Sequence, residues 1–238
     1  MTARLTAVAA AHARILVRRR TAVALLALLP LAFYGALYRH SPHAVAVGGV
    51  ASAFSAGGAA IFSMLPARAA DQRLTLIGYR TAVLIGGRLI VLEAASILIS
   101  LVTAAVMIAG TGPAHPADVV AGVILTGVAA VPLGLALGAM LPRELEAVLI
   151  LIGIVGIQIT APPESVISAL LPFHGASQLL DAAVGAPVGF WPRLALTAAY
   201  SAALLTIAWA AWRRRAGARR LPRTITSARR SDPARAGN

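Results

Sequence analysis

The side chains best able to do chemistry lie inside an apolar run, residues 81–109, where Glu93 is followed by Ser96, Ser100 and Thr103. Steps of three and four residues place all four on one face of a helix. An ionisable group at membrane depth faces a bundle interior or a water-filled path. Glu93, Ser96 and Ser100, with Gln158 near the end of a later apolar run, are therefore candidates for a translocation path or gate. The same residue types also serve as hydrogen-bonding links between helices. At about 1.5 Å per residue the run exceeds an apolar core of about 30 Å. Its start therefore falls outside the hydrocarbon, and Arg88 is expected at the cytoplasmic interface with its long side chain snorkelling to water.

Other chemistries are excluded by residue type or spacing. There is no cysteine, which removes disulfides, thiolate metal sites and cysteine nucleophiles. All 21 basic residues are arginine. Without lysine the chain can build neither a P-loop nor a Schiff base, so no enzyme activity of these kinds, and no ATP hydrolysis, is expected of it. His40 and His43 stand three apart, but in an outer loop with proline, and no metal site is expected. Glu144 and Glu146 read as the solvated first turn of a helix rather than an acid–base pair.

The elements that must position these groups are membrane spans. Of the 238 residues 59% are hydrophobic and 12% charged, with a mean hydropathy of +0.82, far from the roughly 25% charge of soluble domains. The expected fold is an all-α polytopic membrane protein with six transmembrane helices, at about 21–38, 44–65, 81–109, 119–140, 144–160 and 194–212. With the N-terminus inside, eighteen arginines fall on the cytoplasmic side and two, Arg39 and Arg193, outside. That asymmetry puts both termini in the cytoplasm. Residues 1–20 carry Leu5, Val8, Ala9, Ile15 and Leu16 among arginines, the pattern of an amphipathic interfacial helix. Residues 213–238, rich in arginine, glycine, proline and serine, read as a disordered tail on the anionic inner leaflet rather than a nucleic-acid binder. Alanine-rich, lysine-free composition points to a GC-rich bacterial genome, and so to a multi-pass protein of a bacterial plasma membrane.

Two further features are local. Small residues recur four apart as Gly49, Ala53 and Gly57 and as Ala130, Gly134 and Gly138, ridges that let helices pack closely. Pro162 and Pro163 end the fifth span. The stretch 161–190, which also holds Pro172 and Phe173, has two apolar pieces too short to cross. A re-entrant helical hairpin on the outer side, 164–171 and 173–184, is expected there.

The order of these parts resembles the permease subunits of type-2 ATP-binding-cassette exporters. The likeness rests on a basic leader, "LLPLAFYGALY", a polar loop running into "GGRLI", "LGLALGAMLP", and a broken fifth span before "LLPFHGASQLL". It implies a permease pairing with a second copy or a paralogue. A separate cytoplasmic ATPase subunit would hold ATP-Mg and drive it through the loop 66–80, with cargo among amphipathic drugs, lipids, peptides or glycans. Arg68, Asp71, Gln72, Arg73 and Leu74 are the expected coupling residues, although "ADQR" replaces the family's Glu-Arg-Glu-Arg-Gly-like run. In that loop Leu74, Leu76 and Ile77 read as the membrane-facing side and Arg68, Asp71, Gln72 and Arg73 as the polar side. The alternative is an ion-coupled secondary transporter with Glu93 as coupling acid.

Overall fold

A computed structural model describes residues 2–18, 20–64, 67–185 and 188–217. Most of the expected basic tail, residues 218–238, lies outside the described residues, as do residues 65–66 of the loop and 186–187 of the hairpin segment. Every regular element among the described residues is helical. In chain order they are α1 (Thr2–Arg18), α2 (Arg20–Leu37), α3 (Ala44–Met64), α4 (Arg68–Leu76), α5 (Thr81–Thr111), α6 (Pro116–Met140), α7 (Glu144–Thr160), α8 (Val166–Ala169), α9 (His174–Ala182) and α10 (Phe190–Gly217).

Four of these, α3, α5, α6 and α10, are long and apolar enough to cross a membrane. The other two expected spans are shorter: α2 has 18 residues and α7 has 17. At about 1.5 Å per residue both fall short of a 30 Å apolar core. α10 runs past the expected end at 212, and Arg213 stacks over the Trp209 ring at 4.5 Å.

The centre of the bundle is α6, which packs against α3, α5, α7, α9 and α10. Its glycines explain the closeness. A Cβ on Gly134 would lie 2.3 Å from the Gly57 carbonyl oxygen, and one on Gly138 would meet Met64 at 2.9 Å. The two expected small-residue ridges thus meet at Gly57, Gly134 and Gly138, whereas Gly49 faces Leu180 of α9 instead.

Pro30 and Pro132, each inside a helix, deprive the carbonyl four residues earlier of its N–H donor, and a serine from a neighbouring helix replaces it. Pro30 leaves the Leu26 carbonyl, which accepts from Ser55 Oγ of α3. Pro132 leaves the Val128 carbonyl, which accepts from Ser201 Oγ of α10 at 3.4 Å.

The bundle has two distinct ends. At one, the α5–α6 turn is tied to the close of α9 by His115 N–H to the Ala183 carbonyl, 3.2 Å. At the other lie α1, α4 and the α6–α7 turn. There α1 packs on α5 with Leu5, Val8, Ala9, His12 and Leu16 turned inward. Gly87 permits the contact, since a Cβ there would come within 2.7 Å of Val8. Ile15, expected on the apolar face, points outward and is 53% exposed. The α1 surface is therefore chosen by the α5 seat, with Ile15 and Val17 left outside it.

Candidate functional site

At the α4 end, three attachments hold a short helix across the bundle. Arg68 Nη2 donates to the Gly138 carbonyl at 2.5 Å and to that of Leu141, while Nη1 donates to the Pro142 carbonyl at 3.3 Å. A cation thereby meets the carbonyl-rich, partially negative C-terminus of α6. Asp71 Oδ2 accepts from Arg88 Nη2 of α5 at 3.0 Å, with the two side chains 4% and 1% exposed. The other terminal nitrogen of Arg88 points to Met64 Sδ of α3. Leu74 joins Val8, Val83 and Leu84 in a small apolar cluster between α1, α4 and α5.

Two expectations are corrected here. Arg88 does not snorkel to water; it is buried and paired, because a carboxylate lies within reach on α4. The polar side expected of α4 is also only partly at the surface. Arg68 and Asp71 are engaged inward and Leu74 packs inside. The exposed stripe is Ala69, Ala70, Arg73, Leu76 and Ile77, with Leu76 and Ile77 83% and 74% exposed. Gln72 is half-buried beside it. Asp71 therefore cannot be a surface contact for a partner, whereas Arg73 can.

Burial pushes the Asp71 carboxyl up, and the Arg88 guanidinium works against that rise. Above the pair His12 of α1 is held down to about 4 by burial and by the field of Arg88. An undocked α1 would return His12 to its ordinary value near 6.5. The undocked state then binds more protons, so docking is fully favoured above about pH 6.5 and weakens as pH falls toward 4. The protection factor of the α1 amides, exchange corrected for its intrinsic pH dependence, is expected to fall about tenfold from pH 7.5 to 5.5, and His12→Gln to remove that fall while leaving protection in α6 unchanged.

The polar stripe of α5 is packed. Ser100 Oγ donates to the Val123 carbonyl at 3.2 Å, and Ser96 Oγ fills the space where a Gly127 side chain would be, both against α6. Within one copy of the chain Ser96, Ser100 and Thr103 thus fill a helix interface rather than line an open path. Glu93 Oε2 and Thr103 Oγ1 are buried without a hydrogen-bond partner, and of the two Glu93 is the ionisable one.

At the opposite end α7 stops at Thr160 before Pro162 and Pro163, as expected. The first hairpin arm shrinks to the single turn α8, started by Ser165 Oγ accepting from Ser168 N–H at 3.1 Å. The second arm is α9, following the buried Pro172 and Phe173. α9 lies against α3, α6 and α10, where Gly49 and Gly122 seat Leu180.

A partly buried polar relay links this hairpin to α7 and α10, and its proton positions can be derived. Arg193 Nε can only donate, so at 2.9 Å it fixes Gln178 Oε1 as acceptor. Gln178 Nε2 then donates to His174 Nε2 at 2.9 Å. The proton of the neutral ring must be on Nδ1, which donates to Ser168 Oγ at 3.0 Å. Burial and Arg193 both lower His174, in keeping with a neutral ring. His174 therefore cannot act as a base toward Ser168, and a Ser–His nucleophile is excluded. Gln158 Nε2 also donates to Ser168 Oγ, at 2.9 Å, and to Ser177 Oγ at 3.4 Å, while Gln158 Oε1 stays buried and unpartnered. Gln158 was the one member of this set singled out from sequence. The spacing of His174 and Gln178, one helical turn apart beside an out-of-place arginine, was a signal for the rest.

No group of three or more metal-ligating side chains comes together among the described residues. No protein-family model matches the chain, and no curated protein matches its sequence. The class that fold and composition define is a helical membrane protein, with four helices able to cross the bilayer.

Proposed function

We propose that this chain is the permease subunit of an ATP-binding-cassette exporter in a bacterial plasma membrane, working as a dimer and driven by a separate ATPase. In this reading α2 and α7 complete six spans, the α1–α4 end faces the cytoplasm, and α8–α9 form the outer hairpin. The observation that carries it is the mounting of α4. Its inner face is clamped to the end of α6 by Arg68, to α5 by Asp71 and to α1 by Leu74. Its outer face offers Ala69, Ala70, Arg73, Leu76 and Ile77 in one helical stripe. A push on that stripe reaches three elements at once. A chain with no lysine has no P-loop of its own, so the push must come from a partner that has one.

The tagged chain, extracted from its native membrane in mild detergent, is expected to bring down a P-loop ATPase in stoichiometric amount, with Mg-dependent ATP hydrolysis in the eluate. The ion-coupled alternative draws on the unpartnered Glu93. A chain that purifies alone, transports on a proton gradient and stops on Glu93→Gln would replace the exporter reading with that one.

A further inference from the structure

We propose that the outward face of α1 is a contact surface for anionic phospholipid headgroups. Steps of three and four residues put Arg4, Ala7, Ala11, Arg14 and Arg18 in one stripe along the helix. All five are exposed. An amphipathic helix at an interface ordinarily rests its apolar face on lipid, but here α5 occupies that face. A Cβ on Gly86 would touch Leu5 at 3.5 Å, and one on Gly87 would meet Val8 at 2.7 Å. What α1 has left to offer the membrane is its arginine stripe.

Depth, neighbouring side chains and charge favour a headgroup over bulk water. α5 has 31 residues, about 46 Å at about 1.5 Å per residue, against an apolar core of about 30 Å. Its start, where Val83, Leu84 and Gly87 seat α1, therefore stands in the headgroup layer. Ile15 and Val17 flank the stripe and are 53% and 74% exposed. Such side chains gain by entering the acyl boundary while the arginines reach the phosphates.

No carboxylate competes for the stripe. The chain has no aspartate or glutamate before Asp71, and Asp71 is taken by Arg88. The other ion pair among the described residues is Arg143 with Glu146. Arg4 stacks over the Tyr79 ring at 5.5 Å, which leaves the edge of its guanidinium free to donate. Arg14 and Arg18 stand one turn apart, about 6 Å along the axis, so one phosphodiester can accept from both guanidinium forks. An acidic protein could also pair these arginines, but at this depth it would have to displace lipid first.

The contact requires that α5 cross the bilayer; it requires no ATPase, and the full chain alone tests it. Because the chain has no cysteine, Ala11→Cys in the middle of the stripe takes a single fluorescent label. The labelled protein is placed in phosphatidylcholine nanodiscs carrying a small, equal fraction of phosphatidylglycerol or phosphatidylcholine that is spin-labelled near the top of one acyl chain. Quenching by phosphatidylglycerol is expected to exceed that by phosphatidylcholine about threefold or more, since one arginine beside an anionic surface gains about fivefold in affinity. Arg14→Gln with Arg18→Gln is expected to make the two lipids equal, as is about 1 M salt. A label at Ala114→Cys, in the α5–α6 turn at the opposite end, is expected to show no preference. Equal quenching at Ala11, a preference that survives the two glutamines or the salt, or the same preference at Ala114 would overturn the assignment. So would no quenching by either lipid, which would leave the stripe to water or to an acidic protein.

Discussion

Asp71→Ala is expected to cost about 3–5 kcal/mol of stability, the usual scale for stranding one member of a buried ion pair. The partner it strands, Arg88, is 1% exposed and cannot turn to water without opening the α4–α5 contact. The loss is not intrinsic to having no ion pair there. Asp71→Leu combined with Arg88→Met removes both charges and keeps apolar volume, so the double variant is expected to recover most of the stability lost by Asp71→Ala. Denaturant titration in mixed micelles, run as a double-mutant cycle, measures the coupling. If the double variant is as unstable as Asp71→Ala, the charge on Arg88 is not the cause, and packing of α4 is.

The second large effect concerns the opposite face of the same helix. Leu76→Glu with Ile77→Glu is expected to leave the chain within about 0.5 kcal/mol of the parent, because neither side chain is packed against the rest of the bundle. On the exporter reading proposed above, export and stimulation of an ATPase partner are expected to fall to background. Apolar anchors buried at an interface are commonly worth about 2 kcal/mol or more each, so association should weaken by roughly thirtyfold or more for each anchor of that size. Arg73→Glu tests the charge on the same stripe. Retained coupling in the double-glutamate variant would remove α4 as the docking element. The two experiments separate cleanly, since Asp71 acts through the interior and Leu76 and Ile77 through the surface.

The outlines of the fold were legible where the chain carries its own punctuation. Pro162 and Pro163 stop α7 at Thr160, as the missing N–H groups require. Glu144 opens the same helix, and the small-residue ridges correctly foretold the Gly57–Gly134 contact. Rotation of α4 was not legible. An amphipathic helix beside a membrane invites its apolar side inward, but α5 already buries an arginine that demands a carboxylate. Asp71 meets that demand from 17 positions away in sequence, and the helix turns Arg68 and Asp71 in beside Leu74 while Arg73 stays exposed. Nor was the relay legible, because Gln158, Ser168, His174 and Arg193 lie on separate elements and each looks ordinary alone.

The paired prolines and serines bear on how such a bundle can move. Cross-helix bonds from Ser55 to the carbonyl freed by Pro30, and from Ser201 to that freed by Pro132, fix α2 against α3 and α6 against α10. Sliding either pair by one residue would leave a bare carbonyl in hydrocarbon, where no water can replace the lost donor. Conformational change in this protein therefore has two indivisible units, α2 with α3 and α6 with α10. The seam between them is the close α3–α6 contact at Gly57 and Gly134, so displacement is left to the helices outside these four, α5 and α7.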